Sequence, residues 1–291
     1  MDNPQQRTVV ITGGSGGIGL HSAIGVAKTG AHIIVTGRDA RRGDEAVQVI
    51  KRSSNNADIH FVQGDLSSLS GVESLASSLQ RHTERIDVLV NNAGYLGDSL
   101  TMSEDGFELH FAVNVLAPWR LTHLLLPTLM SAPAPHVINV SGGDRPAAID
   151  PHNLQAEAGF RGLMTYTHSK SVLEAMSVLL AHELEPKGLR VNIVFPGRAS
   201  TAMTRSLTVS ALPGLMKLMY PFFRWFFRDD GGKSAAKAAR STIWAASSPE
   251  LKGVTGSYFD ARCALQELHS SAYKPEVHAA IRAVLEESIG S

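Results

Sequence analysis

Residues 8–19 read Thr-Val-Val-Ile-Thr-Gly-Gly-Ser-Gly-Gly-Ile-Gly, and this stretch decides the fold. Its first four residues form a short, mostly β-branched run, which is typical of a buried strand in a parallel sheet. The glycine-rich turn leads into a helical pattern through Ala27 that ends at Gly30. A strand, a glycine-rich turn and a helix in this order form the phosphate-binding unit of dinucleotide folds, because glycines let backbone N–H groups approach a pyrophosphate. The alternative is a loop that merely requires glycines.

Strands alternate with helical segments along the first two-thirds of the chain. After the first strand, the apolar runs predict further strands at residues 32–36, 59–63, 86–90, 137–140, 191–194 and 258–260. This alternation predicts an α/β fold with a doubly wound parallel sheet covered by helices on both faces. We expect a single domain over residues 1–291, with a cofactor-binding and catalytic core at about 8–200.

The composition is that of an ordinary globular protein. Of the 291 residues, 43% are hydrophobic and 19% are charged, and the formal net charge is zero, so nothing indicates a nucleic-acid partner. The single cysteine, Cys263, excludes an intrachain disulfide framework and a cysteine-based zinc site, and no metal site is predicted. Residues 1–7 lack the apolar core of a signal peptide, and no apolar run of about 18 residues predicts a transmembrane helix. We therefore expect a soluble, cytoplasmic protein.

The end of the second strand bears on the choice of cofactor. An NAD enzyme places an acidic residue there to accept from the ribose hydroxyls, but this chain has Gly37 followed by Arg38. A guanidinium suits a 2′-phosphate, so NADP(H) is favoured over NAD(H). Asp39 is either a helix N-cap or a competing ribose ligand. Arg41 and Arg42 are interpreted as a solvated helix start.

Polar and small residues follow three other strands at the edge where ligands bind in open α/β sheets. Asp65 follows the third strand and could accept from an adenine amino group or cap the next helix. Residues 91–94 are small enough for the backbone to pass close to a cofactor, and Ser141, after the fifth strand, is positioned for chemistry. Asn114 lies inside a helix predicted over residues 104–130, where asparagine is unfavourable without a local reason.

Tyr166 and Lys170 lie near the start of a long helical pattern that runs to about Pro186. Four residues apart on a helix, they share one face. An ammonium beside a phenol favours the phenolate and moves its pKa toward neutrality, so the pair suits proton exchange with a carbonyl or hydroxyl oxygen. The alternative is a pair of surface or packing residues.

Together these motifs resemble the short-chain dehydrogenase/reductase family, and the resemblance covers essentially the whole chain. The motifs, in family order, are Thr12-Gly13-x-x-x-Gly17-Ile18-Gly19, Asn91-Asn92-Ala93-Gly94, Asn114, Tyr166-x-x-x-Lys170 and Pro196-Gly197. Within the family the chain is similar to the retinol-dehydrogenase branch. That narrower likeness is carried by residues 105–108, 121–126 and 152–155 and by Tyr166-x-His-Ser-Lys170.

The resemblance implies a Rossmann fold and a role for each motif. Tyr166 would be the general acid in reduction and the base in oxidation, while Lys170 would bind the nicotinamide ribose and lower the pKa of Tyr166. Asn114 would hold a water that relays protons through Lys170, and Thr201 would contact the nicotinamide carboxamide. The residues expected to bind the dinucleotide are Gly13, Ser15, Gly17, Ile18, Gly19, Arg38, Asp65, Leu66, Asn92, Ala93, Gly94, Tyr166, Lys170, Pro196, Gly197 and Thr201.

The catalytic serine departs from the family pattern. The family usually has Asn-x-Ser-Ser, with the second serine polarising the substrate oxygen, whereas this chain has Asn139-Val140-Ser141-Gly142. A one-residue deletion before His152 would let Ser141 serve, because Ser141 keeps the family's spacing to Tyr166. Alternatively the hydroxyl is missing, and the substrate or a water supplies the hydrogen bond. We predict Ser141 as the fourth catalytic residue.

The sequence changes character at about residues 204–233, where the family has its variable substrate lid. Residues 212–228 are rich in aromatic and methionine side chains, which would form a large apolar wall. They could instead pack on the domain or form an interface in a homodimer or homotetramer, or lie on a membrane with Lys217, Arg224 and Arg228 at the polar level.

We therefore expect an NADP(H)-dependent oxidoreductase that interconverts a carbonyl and an alcohol on a small-molecule substrate that is bulky and hydrophobic. Two alternatives are a catalytically silent dinucleotide sensor on the same fold and a membrane-peripheral retinoid or lipid dehydrogenase.

Overall fold

Eight strands form one sheet in the computed structural model, which describes residues 6–142, 148–212 and 214–290. The sheet order is β3-β2-β1-β4-β5-β6-β7-β8, and the strands are parallel except for β8, which runs antiparallel to β7. The strands are β1 (Thr8–Ile11), β2 (His32–Gly37), β3 (Ile59–Gln63), β4 (Val88–Asn91), β5 (His136–Val140), β6 (Arg190–Val194), β7 (Tyr258–Phe259) and β8 (Leu265–Gln266).

Helices connect the strands and cover both faces of the sheet. They are α1 (Gly17–Ala27), α2 (Ala40–Ser54), α3 (Leu69–His82), α4 (Leu109–Phe111), α5 (Ala117–Leu124), α6 (Leu126–Met130), α7 (Gly162–Leu184), α8 (Ala202–Arg205), α9 (Tyr220–Phe226), α10 (Lys233–Ser247) and α11 (Pro275–Gly290). A π-helical turn, Ala112–Leu116, joins α4 to α5, and short 3₁₀ turns lie at Glu185–Lys187, Val209–Ala211, Gly214–Met219, Pro249–Leu251 and Ser270–Tyr273.

The first strand shows why the sheet is buried on both faces. Successive side chains of a strand point to opposite faces. Val10 belongs to the core under α3, α5, α7 and α11, whereas Val9 and Ile11 belong to the core under α1, α2 and α10. The predicted doubly wound α/β fold is therefore confirmed. The strand order reverses between β1 and β4, so the crevice beyond their carboxyl ends is where such folds bind ligands.

The helix predicted over residues 104–130 is the largest departure from the sequence pattern. It begins only at Leu109, after a bridge between Met102 and Glu108, and it widens into the π-helical turn. It is interrupted at Leu125, because the following Pro127 has no backbone N–H to continue the hydrogen-bond ladder. The two-residue strand β8 was not predicted, since a run that short and exposed carries no pattern.

Candidate active site

Tyr166 and Lys170 lie one turn apart on α7, at the carboxyl edge of the sheet. Lys170 is buried and donates a hydrogen bond to the Val140 carbonyl oxygen, 3.0 Å from Nζ. Burial raises the pKa of half-buried Tyr166 to about 12. Burial also lowers the pKa of Lys170 to about 8, although the charge of Glu174 opposes the shift. Burial thus shifts the pKa of the phenol in the direction opposite to the lowering expected from Lys170, because desolvation disfavours the charged phenolate.

Ser141 directs its hydroxyl into the core. The hydroxyl donates to the Glu174 carboxylate at 2.5 Å, and the two side chains are only 3% and 4% exposed. The neighbouring Gly142 lies against Tyr166 instead, and a Cβ built on Gly142 would overlap the phenol oxygen. The structure thus brings together Gly142, Tyr166 and Lys170, and it places the Ser141 hydroxyl with Glu174.

Glu174 is a residue of this site that sequence analysis missed. Burial raises its pKa to about 7, while the hydrogen bond from Ser141 and the charge of Lys170 both favour its ionised form. It follows Lys170 by one turn of α7, so the three side chains form one buried polar group. A glutamate in the middle of a long helix gives no signal in a single sequence, because such residues are usually solvated.

Asn114 lies in the π-helical turn and is fully buried. Its side chain accepts from the Tyr95 amide (2.8 Å) and donates to the Tyr95 carbonyl oxygen (3.0 Å) and to Ser169 Oγ (2.9 Å). A Cβ built on Gly94 would lie 3.2 Å from Asn114 Oδ1 and 3.5 Å from Lys170 Nζ. Glycine at 94 therefore leaves room for the asparagine and lysine side chains on the same side of this segment. The local reason for an asparagine inside this helix is its bond to the Tyr95 backbone.

The glycine turn has the shape of a phosphate cradle. Gly13 and Gly17 have positive φ angles, +67° and +53°, which favour glycine. A side chain on Gly19 would overlap both the Gly13 carbonyl oxygen and the Asn92 side chain. Helix α1 starts at Gly17, and the N-cap Gly16 has no side chain to cap the first turn. The turn therefore fits the pyrophosphate of a dinucleotide, which uses such helix N-termini.

Ser15 and Ile18 lie in the same turn, and both are half-buried. Ser15 Oγ is 2.8 Å from a Cβ built on Gly37, so the turn is close to the end of β2. Ile18 belongs to the first turn of α1. Their predicted contacts with the dinucleotide stay predictions.

Thr12 fastens the segment after β4 to the glycine turn. Its hydroxyl accepts from the amides of Asn92 and Ala93, each at 3.0 Å, and the Asn92 side chain donates to the Thr12 carbonyl oxygen at 2.8 Å. A Cβ built on Gly13 would lie 2.9 Å from Ala93 Cα. The backbone at Asn92 and Ala93 thus lies close to the glycine turn, and its predicted approach to a cofactor stays a prediction. The sequence did not indicate that Thr12 makes these hydrogen bonds, because threonine is also common at the end of an ordinary β-strand.

Arg42 also reaches the glycine turn. One of its guanidinium nitrogens lies 3.2 Å from a Cβ built on Gly16. Arg38 is exposed just after β2, and Asp39 caps α2 by accepting from the Arg42 amide at 3.0 Å. Arg42 is exposed in the first turn of α2, which agrees with its interpretation as part of a solvated helix start, and the N-cap interpretation of Asp39 also fits the structure.

Asp65 and Leu66 follow β3 at the same edge of the sheet. Asp65 is exposed and accepts from the Ser67 amide at 3.0 Å. The cap of α3 is Ser68, which accepts from the Gly71 amide at 3.2 Å, so Asp65 does not cap that helix as the sequence allowed. Leu66 packs, partly buried, against the core. A contact of Asp65 with adenine stays a prediction.

Thr201 lies against the glycine turn from the opposite side of the crevice. Its Cγ2 is 3.2 Å from a Cβ built on Gly17, and its hydroxyl caps α8 by accepting from the Thr204 amide at 3.3 Å. Pro196 is buried directly after β6, and Gly197 has a φ of +82°. Pro196, Gly197 and Thr201 thus lie on the one chain segment that runs from the end of β6 to the glycine turn.

An apolar cluster borders the phenol. Leu96, Leu207 and Ala211 are buried together, and the Tyr166 ring and Met203 pack against them. These side chains come from the segment after β4 and from the segment around and after α8. The Tyr166 ring is therefore held beside an apolar surface.

The segment 212–228 exposes much of its apolar surface. Leu218, Met219, Phe222 and Trp225 are 79%, 55%, 57% and 59% exposed. The side chains of residues 213–216, 223 and 226 lie outside the described part. Packing on the body of the domain, one of the interpretations of this segment, does not hold for those four side chains. Within the described ranges, no helix has the length and apolar content needed to cross a membrane.

Comparison with known proteins identifies the family. The family model for short chain dehydrogenases matches residues 7–211. Retinol dehydrogenase 13 of Mus musculus is 33% identical over 258 residues, covering 87% of this chain and 75% of that protein. Retinol dehydrogenase 14 of Homo sapiens is 30% identical over 302 residues, covering 98% of this chain and 86% of that protein.

A solved structure supports the same assignment. A short chain dehydrogenase from Shigella flexneri 2a str. 301, complexed with NADP, superposes with a TM-score of 0.64 at 27% identity. The superposition covers 88% of this chain and 97% of that one. The resemblance to the retinol-dehydrogenase branch is confirmed, and a catalytically silent sensor is not favoured. The chain belongs to the short-chain dehydrogenase family and is an oxidoreductase that acts on an alcohol or carbonyl group with a nicotinamide dinucleotide.

Proposed function

We propose that the protein uses NADPH to reduce a carbonyl group on a bulky apolar substrate. The observation that carries this proposal is the position of the Tyr166 phenol, one turn from Lys170 on α7 and beside an apolar cluster. A phenol that keeps its proton at neutral pH is suited to donate it to a carbonyl oxygen on which negative charge develops. The same geometry can run in the oxidative direction once the phenol is deprotonated.

The residues present fit the dinucleotide. The glycine turn would hold the pyrophosphate, Lys170 would bind the nicotinamide ribose, and Thr201 would contact the carboxamide. When bound, the dinucleotide supplies the hydride for reduction. The chain's own part is to orient the substrate oxygen at the Tyr166 hydroxyl and to resupply the phenol with a proton along Lys170.

The substrate oxygen meets no serine hydroxyl in this proposal. Ser141 is occupied by Glu174, and a serine at position 142 would place its Cβ against the Tyr166 phenol oxygen, which already fills that space. The second hydrogen bond to the substrate oxygen then comes from a water or from a hydroxyl of the substrate itself. This is the second of the two alternatives that the sequence left open.

The proposal is tested by measuring NADPH oxidation with a series of aldehydes and ketones of increasing apolar length. We expect kcat/KM to rise by up to about fourfold for each added methylene that is buried against Leu96, Leu207 and Ala211. A preference for small, polar carbonyls, or no turnover with any member of the series, would contradict the proposal.

The preference for NADPH over NADH is tested with a matched pair of arginine variants. We expect Arg42→Ala to weaken NADPH binding by about 10–100-fold and to leave NADH binding nearly unchanged, because a charge-assisted bond to the 2′-phosphate is lost. Arg41→Ala is the control, since Arg41 is one residue away but pairs with Glu45 at 2.7 Å on the exposed side. Equal effects of the two variants, or tighter NADH than NADPH binding in the unchanged protein, would exclude this role for Arg42.

We also propose that residues of about 204–233 form the substrate lid and that its exposed side chains touch a membrane surface. Phe222 and Trp225 have ring centroids 5.8 Å apart, and the Arg228 guanidinium lies 5.6 Å above the Trp225 ring. Exposed aromatic side chains with a cation at their border suit the interface of an anionic bilayer. An apolar substrate could then enter from the lipid. A cytoplasmic location and a homodimer or homotetramer stay predictions.

Flotation with anionic phospholipid vesicles tests the membrane contact. We expect the protein to float at low salt and the Phe222→Ser/Trp225→Ser double variant to remain in solution. Leu265→Ser is the control, because Leu265 is equally exposed, at 67%, but lies on β8. If the unchanged protein does not float at low salt, the exposed segment serves another purpose and the proposed contact is wrong.

A further inference from the structure

Three histidines meet at the end of the sheet opposite to the active site. His32 begins β2, His60 is the second residue of β3, and His82 ends α3. One imidazole nitrogen from each lies within 4.8 Å of the other two. The dinucleotide residues follow the carboxyl ends of the strands, whereas the histidines lie at the amino ends of β2 and β3. The proposed function therefore makes no use of them.

The strand register explains why the imidazoles meet. His32 and Ile34 are two residues apart on β2 and point to the same face. Ile34 pairs with His60 across the parallel ladder, so His60 shares that face. Helix α3 packs on the same face, where its residues Val72 and Leu75 share a core with Ile34. This packing places His82, the last residue of α3, beside His32 and His60.

A carboxylate completes the group. Asp58 precedes β3, and its oxygens lie 3.1 Å from His60 Nε2 and 4.0 Å from His32 Nδ1. The Gln6 side chain donates to the same carboxylate at 2.9 Å and holds it in place. Three imidazoles and a carboxylate are a common donor set for zinc, and carboxylates also orient metal-bound imidazoles.

We propose that His32, His60 and His82 bind one Zn²⁺ ion, with Asp58 as the neighbouring carboxylate. Zinc–nitrogen bonds of about 2.0–2.1 Å in a tetrahedral site place the nitrogens roughly 3.4 Å apart. The nitrogens therefore have to approach one another by up to about 1.4 Å, which rotation of the exposed His82 side chain at its helix end can provide. Imidazole ligands select zinc and other transition metals over magnesium and calcium, which prefer oxygen ligands.

The ion would hold the edge of the sheet together. It would connect β2, the edge strand β3 and the end of α3. Because three residues of β3 follow His60 and five residues of β2 follow His32, the site lies about 10–16 Å from the carboxyl edge. We therefore expect zinc to change stability and to leave the turnover of a saturated enzyme essentially unchanged.

Calorimetric titration of the full chain, without a histidine tag, with zinc chloride tests the site. We expect one Zn²⁺ per chain and a melting temperature that rises by about 5 °C at zinc about a hundredfold above Kd. His82→Asn should weaken binding at least about tenfold. The matched control is His182→Asn, because His182 is also an exposed histidine in the last turn of a helix but lies outside the cluster.

A second measurement keeps the test decisive if one variant is unstable. Co²⁺ in a four-coordinate site of nitrogen and oxygen ligands gives intense visible absorption, which should appear with the unchanged protein and disappear in His60→Asn. The proposal is overturned by the absence of saturable zinc binding, or by binding that survives both His60→Asn and His82→Asn in variants shown to be folded. NADPH binding is measured in parallel, so that failure of the zinc site and failure of the proposed function are separate results.

Discussion

Tyr166→Phe is expected to lower kcat by about 10²–10⁴-fold while changing the Kd for NADPH by less than about threefold. The variant keeps the ring that packs on Leu96, Leu207 and Ala211 and removes only the hydroxyl. The reaction then loses the hydroxyl that would donate the proton to the substrate oxygen. Steady-state NADPH oxidation gives kcat, and quenching of tryptophan fluorescence gives the Kd.

Tyr273→Phe is the matched control for this experiment, because Tyr273 is 49% exposed and distant in sequence from the site. Its kinetic constants should be those of the unchanged protein. Turnover retained in Tyr166→Phe would mean that another group supplies the proton. Loss of NADPH binding together with turnover would mean that Tyr166 has a mainly structural role.

Ser141→Ala is expected to lower the free energy of unfolding by about 1–3 kcal/mol and to change kcat by less than about threefold. The substitution removes the hydrogen bond to a buried carboxylate but takes nothing from the phenol. Gly142→Ala should do the reverse, lowering kcat by at least about tenfold, because its Cβ would overlap the Tyr166 oxygen. Denaturant unfolding of both variants measures the expected loss of stability in Ser141→Ala. Steady-state kinetics of both variants measures the expected loss of kcat in Gly142→Ala.

The pH dependence of unfolding adds an independent measure of the same contact. Burial raises the pKa of Glu174 from its ordinary value of 4.5 to about 7, so the native state holds the proton more tightly than the unfolded chain. This contribution to stability is complete below the unfolded pKa and is lost as the pH rises toward 7. The decline should extend to higher pH in Ser141→Ala and be absent in Glu174→Gln. A large loss of kcat in Ser141→Ala without loss of stability would restore Ser141 to the substrate oxygen.

The fold was predictable because its signals are local and repeated. The first strand and β3 begin and end where their apolar runs predict, and the glycine turn separates β1 from α1 as expected. The helix expected over residues 104–130 was not predictable in detail. Its start depends on a bridge between Met102 and Glu108, and its π-helical turn depends on a contact with Tyr95. Both interactions form only when the tertiary structure is in place.

Much of the site was also predictable, and the exceptions share one cause. Tyr166, Lys170 and Asn114 meet at the edge that their motifs indicate. Sequence spacing gives no direction for a side chain, however, so it could not show that the Ser141 hydroxyl turns to Glu174. For the same reason it could not show that burial outweighs Lys170 in setting the pKa of the phenol.

The π-helical turn also bears on attempts to transplant this site into a shorter scaffold. Removing one residue from Ala112–Leu116 to restore a regular α-helix would rotate everything after it by about 100°. Arg120, which pairs with Glu73 at 2.6 Å, would leave its partner, and the buried Leu121 would turn away from the core. A design that transfers Asn114 to another protein therefore has to transfer the π-helical turn and the first turns of α5 together.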